Sequence, residues 1–150
     1  MKEFRIIIPV IVLLVLGILK MNLEAASLST TRSTIFPDTI NWVLTKIPEN
    51  KTMKQHTGAK VFIRINTTKK MLSGYTSCNS IKGKVVLQDS TISITEVVAG
   101  NRVCDERTMG MEQLFRKIIQ KSTSWKIVNN MLYLYENGNL LLEFKSENEK

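Results

Sequence analysis

The dipeptide Asn137-Gly138 stands between two apolar runs near the C-terminus, residues 131–136 and residues 139–145. Asn-Gly in this setting is a strong signal for a β-hairpin, because both central residues of a type I′ turn need a positive φ. A second polar pair, Asn129-Asn130, separates residues 124–128 from the same central run. The C-terminal third of the chain is therefore predicted to be an antiparallel meander of three strands.

Alternation of apolar and polar residues predicts further strands earlier in the chain. Residues 60–66 show it most clearly, because Val61, Ile63 and Ile65 fall on one face of the strand. Shorter or less regular runs predict strands at residues 40–47, 71–75, 81–87 and 92–94, the last two joined as a hairpin. Together with the meander, these runs indicate seven or eight antiparallel strands.

One segment has the period of a helix rather than that of a strand. Its apolar residues follow the 3, 1, 3, 1 spacing of one helical stripe: Met111, Leu114, Phe115, Ile118 and Ile119. The stripe predicts a helix over residues 108–121, with Asp105-Glu106 at its entry, where acidic side chains favour the helix dipole. The expected fold class is α+β: a mainly antiparallel β-sheet of seven to eight strands, partly barrel-like, with one α-helix packed on it.

Residues 1–25 have the pattern of a signal peptide: a short basic head, an apolar run over residues 6–19 and small residues at Ala25 and Ala26. The apolar run reaches about 21 Å as a helix, against a hydrocarbon thickness of roughly 30 Å, which is short for a membrane span. A signal peptide is therefore the prediction, and an uncleaved N-terminal membrane anchor remains the alternative. We expect a cell-envelope protein that is periplasmic, secreted or anchored by this segment.

The rest of the chain divides by composition. Residues 26–37 are rich in hydroxyl side chains and have no apolar period, which predicts a linker. Residues 38–145 form the predicted folded domain, and residues 146–150 form a charged tail. A chain of 150 residues has room for one modest domain besides its targeting segment.

The chain is basic, with a formal net charge of +8. Its lysines and arginines are scattered in runs no longer than two, a distribution typical of a solvated surface. Weak attraction to an anionic envelope polymer or to lipid head groups stays open. Nucleic-acid binding is not expected, because the basic residues are not interleaved with aromatic ones and the export pattern argues against it.

The chain offers few residues for catalysis or metal binding. A cysteine nucleophile needs a base within hydrogen-bond reach, and the single histidine, His56, lies in a polar loop. A thiol-dependent enzyme that pairs Cys78 with His56 is therefore only an alternative, and no catalytic residue is predicted. One histidine and two cysteines, Cys78 and Cys104, lack the ligand number and spacing of a zinc site. No metal and no cofactor are expected.

Six short motifs follow one another along the chain. They are Trp42-Val43-Leu44, Ser77-Cys78-Asn79-Ser80-Ile81-Lys82-Gly83, Arg102-Val103-Cys104, Glu112-Gln113-Leu114-Phe115, Leu132-Tyr133-Leu134 and Leu141-Leu142-Glu143-Phe144. Their order and spacing resemble the META domain, also called the HslJ-like family, over about residues 40–145. The resemblance implies a small exported β-rich envelope domain, often linked with stress responses, without an established catalytic centre.

The chain departs from the family pattern at three places. Ser77 replaces the usual glycine, Ile81 stands where an aromatic residue is usual, and Asn101-Arg102-Val103 replaces Thr-x-Met-Ala. The residues that agree with the pattern are Trp42, Cys78, Asn79, Gly83, Cys104 and Phe115. Any role tied to the three departing positions is therefore not carried over to this chain.

In an exported chain, Cys78 and Cys104 are predicted to form a disulfide that closes a loop of about 26 residues, worth roughly 3–4 kcal/mol. Two buried thiols that merely pack remain the alternative. Asn79 is expected to make turn hydrogen bonds to the backbone, and Gly83 to permit close packing or a bulge. All of these residues, together with the core aromatics Trp42 and Phe115, are thus predicted to be structural.

The expected function follows from the export pattern and the family resemblance. It is that of a non-enzymatic, exported or membrane-anchored protein of the bacterial cell envelope with a structural, adaptor-like or stress-protective role. Its partner is expected to be an envelope protein or an anionic envelope polymer, with membrane contact through residues 6–19 if the signal stays uncleaved. A binding module for an anionic envelope ligand is a further alternative.

Overall fold

Eight strands follow one another in chain order, and the computed structural model describes them within residues 36–38, 40–48 and 60–147. The strands are β1 (Asn41–Lys46), β2 (Phe62–Asn66), β3 (Met71–Tyr75), β4 (Ser80–Gln88), β5 (Thr91–Ala99), β6 (Ser124–Val128), β7 (Met131–Glu136) and β8 (Asn139–Glu147). All described residues belong to one unit, Thr34–Lys150. The predicted signal peptide or anchor over residues 1–25 and His56 lie outside the described residues.

The strands form a closed barrel in which each strand pairs with the next and β8 pairs with β1. Every pairing is antiparallel. One helix, α1 (Glu106–Ile119), accompanies the barrel in the described part of the chain. The predicted α+β class, with a mainly antiparallel, barrel-like sheet of seven to eight strands and one helix, is confirmed.

Local turn chemistry produces the two C-terminal hairpins. Asn129 and Asn130 have φ angles of 49° and 62°, and Asn137 and Gly138 have φ angles of 50° and 86°. Both central residues of each turn are therefore left-handed, as a type I′ turn requires. The predicted meander of β6, β7 and β8 is confirmed.

The two ends of the described domain reach further than the composition of the chain indicates. Phe36 lies in the predicted linker, yet its side chain is buried and belongs to the hydrophobic core. At the other end β8 continues through the start of the predicted charged tail to Glu147, which is the register partner of Asn41. Pairing with β1 supplies the backbone hydrogen bonds that keep these polar residues in a strand.

The helix α1 begins at Glu106 because Asp105 caps it. The Asp105 carboxylate accepts hydrogen bonds from Thr108 N at 3.1 Å and from Thr108 Oγ1 at 2.6 Å. Its buried face comprises Glu112, Phe115, Ile118 and Ile119. The predicted helix over residues 108–121 is confirmed, but it begins and ends two residues earlier, at Glu106 and Ile119. The reason for the shift is the Asp105 cap, which sets the first turn.

The helix also covers the weakest seam of the barrel. Strands β5 and β6 share a single register pair, Thr91 with Ser124. Further along β5, Arg116 Nη2 donates to Val97 O at 2.9 Å, and Val97 N donates to Gln120 Oε1 at 3.3 Å. Side chains of α1 thus satisfy backbone groups of β5 that would otherwise need a strand partner.

No helix within the described ranges combines the length and the hydropathy needed to cross a membrane.

Candidate functional site

A disulfide joins the turn before β4 to the segment before α1. The Sγ atoms of Cys78 and Cys104 are 2.02 Å apart, and their Cα atoms are 6.1 Å apart. Cys78 is only 1% exposed, so this end of the bond lies in the core. Of the two possibilities open to these cysteines, a disulfide or a pair of packed thiols, the structure contains the disulfide.

Asn79 holds the segment before the helix in the manner of a strand partner. Its Oδ1 accepts a hydrogen bond from Arg102 N at 3.0 Å, and its Nδ2 donates to Arg102 O at 3.1 Å. The predicted hydrogen bonding of Asn79 to backbone is therefore present, but its target is a segment 23 residues away rather than the local turn. Asn79 and the disulfide fasten the same segment side by side.

Glu112 brings the helix into this cluster. Its carboxylate is largely buried and accepts hydrogen bonds from Asn79 Nδ2 at 3.3 Å and from Thr76 Oγ1 at 2.5 Å. A buried carboxylate is costly unless donors surround it, and two neutral donors serve it here. The sequence analysis placed Glu112 in the motif that ends at Phe115 but did not predict it as a site residue. Its position three residues before Phe115, on the same face of the helix, is a usable signal.

Thr76 closes the turn that presents Cys78. Its backbone N donates to Asn79 O at 3.0 Å, and Asn79 N donates to Thr76 Oγ1 at 3.4 Å. Between them Ser77 adopts a φ of 74°, which is the left-handed region that glycine adopts without a steric penalty. The glycine usual at this position in the family pattern therefore has a backbone reason, and Ser77 makes the same turn at some cost.

Two glycines allow the close approach of segments around this turn. A Cβ on Gly83 would lie 3.0 Å from Val97 Cγ2 and 3.1 Å from Thr95 O, next to a register shift between β4 and β5. A Cβ on Gly100 would lie 2.8 Å from Asn79 Oδ1. Gly83 thus serves both the close packing and the bulge that were predicted, whereas the sequence pattern had not singled out Gly100.

The two predicted core aromatics lie elsewhere in the interior. Trp42 on β1 and Phe115 on α1 are both buried, and the Phe115 ring meets the Phe144 ring edge-on at 6.4 Å. Phe115 follows Glu112 by one helical turn, so its packing helps to fix the position of that carboxylate. Trp42 has no recorded hydrogen bond to the cluster in the described part of the chain.

For convenience we call Thr76, Cys78, Asn79, Cys104 and Glu112 the strap cluster. As a disulfide, Cys78 has no thiolate to act as a nucleophile or metal ligand. Within residues 36–38, 40–48 and 60–147, no group of three or more histidine, cysteine or acidic side chains is arranged to hold a metal. The disulfide and the hydrogen bonds of this cluster connect the turn between β3 and β4 to the Arg102 segment and to the helix.

The two residues that precede Cys104, Arg102 and Val103, are exposed on the surface beside the strap cluster. The Arg102 side chain is exposed, and Val103 is 83% exposed. The backbone of Arg102 is held by Asn79, and Cys104 is held by the disulfide. This short surface segment therefore exposes one cationic and one apolar side chain, while its backbone is fixed by Asn79 and by the disulfide.

Comparisons with known proteins agree with this fold and with these motifs. The META domain family model matches residues 37–149 of the chain. No functionally curated protein gives a significant match. Among solved structures, the NMR structure of a protein from Burkholderia xenovorans has a TM-score of 0.60 and 18% identity, covering 75% of this chain and 84% of that one.

A second solved structure is similar at a lower level. The crystal structure of a DUF4847 family protein from Bacteroides vulgatus ATCC 8482 has a TM-score of 0.53 and 10% identity, covering 75% of this chain and 96% of that one. These two likenesses concern the fold alone. Because the family model spans most of the sequence and the strap cluster lies within the matched region, this chain belongs to the META domain family.

Proposed function

We propose that this protein is a non-enzymatic META-domain protein of the bacterial cell envelope, exported or anchored by residues 1–25, with a structural, adaptor-like or stress-protective role. The observation that carries the proposal is the strap cluster, because both cysteines of the chain are used in a cross-link. Disulfides persist in oxidising compartments and are rare in the cytosol. The signal-like pattern of residues 1–25 points to the same compartments.

The compartment can be tested through the oxidation state of the cysteines in cells. Cells that express the full chain are lysed in acid and labelled with a maleimide polymer before or after reduction. We expect no label before reduction and two labels after it, because the protein is exported before the disulfide forms. Two labels without reduction would contradict export and would also reopen the alternative of a thiol-dependent enzyme at Cys78 and His56.

A matched variant separates location from intrinsic cysteine chemistry. Leu13→Arg with Val15→Arg places two charges in the apolar run, which blocks recognition as a signal or anchor. We expect this variant to stay in the cytosol with both thiols reduced and labelled. Sequencing the N-terminus of the exported form then separates the two fates of residues 1–25: a new N-terminus near Ala26 indicates cleavage, whereas an intact Met1 in the membrane fraction indicates an anchor.

The adaptor-like role is supported by the rigid segment at Arg102 and Val103. Binding costs less when the contact residues are already held in place, and the disulfide and Asn79 hold this segment. A photo-reactive amino acid at position 103 is expected to cross-link one discrete envelope protein in living cells. The same amino acid at position 86, where Val86 is also exposed on β4, is the control and should give no discrete product.

Affinity for an anionic envelope polymer is a second candidate, and one observation favours it. Arg64, Ser73 and Lys82 are register neighbours on β2, β3 and β4, so two cationic side chains share one row of the outer face. We expect the full chain to bind vesicles with anionic lipids more tightly than neutral ones, with an affinity that falls as salt rises. Lys82→Gln should weaken binding, whereas Lys117→Gln on the helix should not.

A further inference from the structure

The two ends of the disulfide differ in exposure. Cys78 is 1% exposed and lies in the core, whereas Cys104 is partly exposed and has an exposed residue on either side of it, Val103 and Asp105. A thiolate breaks a disulfide by direct attack on one of the two sulfurs, so the rate at each sulfur depends on access. The Cys104 end of the bond is therefore the end that an attacking thiol reaches.

The surroundings of Cys78 can hold the sulfur that leaves when the bond breaks. Asn79 Nδ2 lies 3.3 Å from Cys78 Sγ and can donate to it, and Arg102 O lies 3.5 Å from the same sulfur. A disulfide sulfur has no hydrogen to donate, but a Cys78 thiol has one, and Arg102 O is placed to accept it. After the bond opens, Cys78 thus stays in the core as a hydrogen-bonded thiol.

We propose that Cys104 is a thiol-exchange site, at which an external thiol forms a mixed disulfide while Cys78 is released. The attacking thiolate forms a bond to Cys104 Sγ, the Cys78–Cys104 bond breaks, and its electron pair goes to Cys78 Sγ. Cys78 then takes up one proton, which balances the proton that the attacking thiol gave to the solvent. The inference goes beyond the function proposed above, because it concerns the reactivity of the disulfide and not the compartment of the protein.

The buried carboxylate of Glu112 opposes this step. Glu112 Oε1 and Cys78 Sγ both lie 3.3 Å from Asn79 Nδ2, so the negative charge that develops on the leaving sulfur is close to a charge already present. Like charges repel more strongly in a protein interior than in water, because less solvent screens them. Glu112 thereby slows exchange at Cys104, in addition to accepting the hydrogen bonds of the strap cluster.

The sulfur that is attacked can be identified on the purified full chain in its oxidised form. The protein is mixed with mercaptoethanol, quenched in acid at early times, alkylated and digested with trypsin, which separates the two cysteines by cleaving after Lys82 and Arg102. We expect the mercaptoethanol adduct on the Cys104 peptide at least about tenfold more often than on the Cys78 peptide. An adduct found mainly on Cys78, or shared equally by the two peptides, would overturn the proposal.

Single-cysteine variants measure the same asymmetry independently. Cys78→Ala leaves Cys104 as the free thiol, and Cys104→Ala leaves Cys78. Each variant is treated with dithiodipyridine under native conditions, and we expect Cys78→Ala to react at least about tenfold faster because its thiol is the accessible one. Equal rates in two folded variants would contradict the proposal, and the peptide measurement on the wild type decides the question if either variant does not fold.

Two variants of the strap cluster separate the effect of charge from that of stability. Glu112→Gln removes the negative charge and keeps an oxygen, whereas Thr76→Val removes a hydrogen bond to Glu112 and leaves the charge. We expect mercaptoethanol to open the disulfide of Glu112→Gln at least about threefold faster than that of the wild type, with no such increase in Thr76→Val. Equal acceleration in both variants would show that lost stability sets the rate, and would rule out the role given to the Glu112 charge.

Discussion

At the scale of single residues, the strap cluster shows how a polar group is made tolerable in the core. Glu112 is buried, and its carboxylate is served by the hydroxyl of Thr76 and the amide of Asn79. The same Asn79 amide also binds Arg102 O, so one side chain connects the helix to the surface segment. Loss of one of these side chains should therefore weaken the hydrogen bonds of the others.

Replacement of Glu112 by leucine tests the acceptor. Leucine fills a similar volume but removes the carboxylate that accepts hydrogen bonds from Thr76 and Asn79, which should lower the free energy of unfolding by about 2 kcal/mol. Glu112→Gln keeps one oxygen and should cost about half as much. Urea unfolding of the three proteins at neutral pH measures both values. A leucine variant as stable as the wild type would show that the hydrogen bonds of Glu112 make no net contribution to stability.

Ser77→Gly tests the left-handed turn. Ser77 has a φ of 74°, and a residue with a Cβ pays about 1–2 kcal/mol for that conformation. Part of the gain is lost because glycine is more flexible in the unfolded chain, so we expect a net stabilisation of about 0.5–1 kcal/mol. Ser77→Ala keeps the strained φ and serves as the control in thermal unfolding. Stabilisation by alanine as large as that by glycine would rule out the backbone explanation.

At the scale of elements, the position of α1 depends on its cap and on its contacts with β5. Asp105 sets the first turn, and Arg116 and Gln120 bind the backbone of Val97 near the C-terminal end of the helix. The helix thereby covers the part of β5 beyond its single register pair with β6. The cap at one end and the β5 contacts at the other fix the rotation that points Glu112 towards Asn79.

The cap makes a prediction about pH. Hydrogen bonds from the Thr108 hydroxyl and then its backbone N–H lower the pKa of Asp105 below its usual value of 3.8. A lowered pKa means that the contribution to stability is present above 3.8 and is lost as the pH falls through the lower folded-state value. Asp105→Asn retains a capping oxygen but cannot titrate.

The measurement compares unfolding free energies of wild type and Asp105→Asn from neutral pH downwards. Wild type should lose stability relative to the variant only as the solution becomes more acidic than pH 3.8. A constant difference across the whole range would contradict a role for the charged carboxylate in the cap.

At the scale of the whole molecule, the disulfide joins segments that the chain order keeps apart. The double variant Cys78→Ala, Cys104→Ala opens a loop whose ends are 26 residues apart, and we expect the free energy of unfolding to fall by about 3–4 kcal/mol. Reduction of the wild-type protein should have a similar effect, measured by urea unfolding with and without dithiothreitol. The double variant itself is the control and should not respond to dithiothreitol.

Local features of this protein were predictable because they depend on neighbouring residues. Alternation identified the strands, the change of period identified α1, and the Asn129-Asn130 and Asn137-Gly138 pairs identified the hairpins through their need for positive φ. The family resemblance rested on the same kind of short pattern, and the family match confirms it.

Tertiary structure alone decided which distant residues meet. Asn79 contacts Arg102 and Glu112, which are 23 and 33 residues away, only because barrel closure and the helix cap bring them to one place. Phe36 shows the same effect, since nothing in a hydroxyl-rich segment indicates that one ring enters the core. The sequence by itself determined the elements and their turns, whereas the contacts of the strap cluster depend on strand register, which local preferences do not specify.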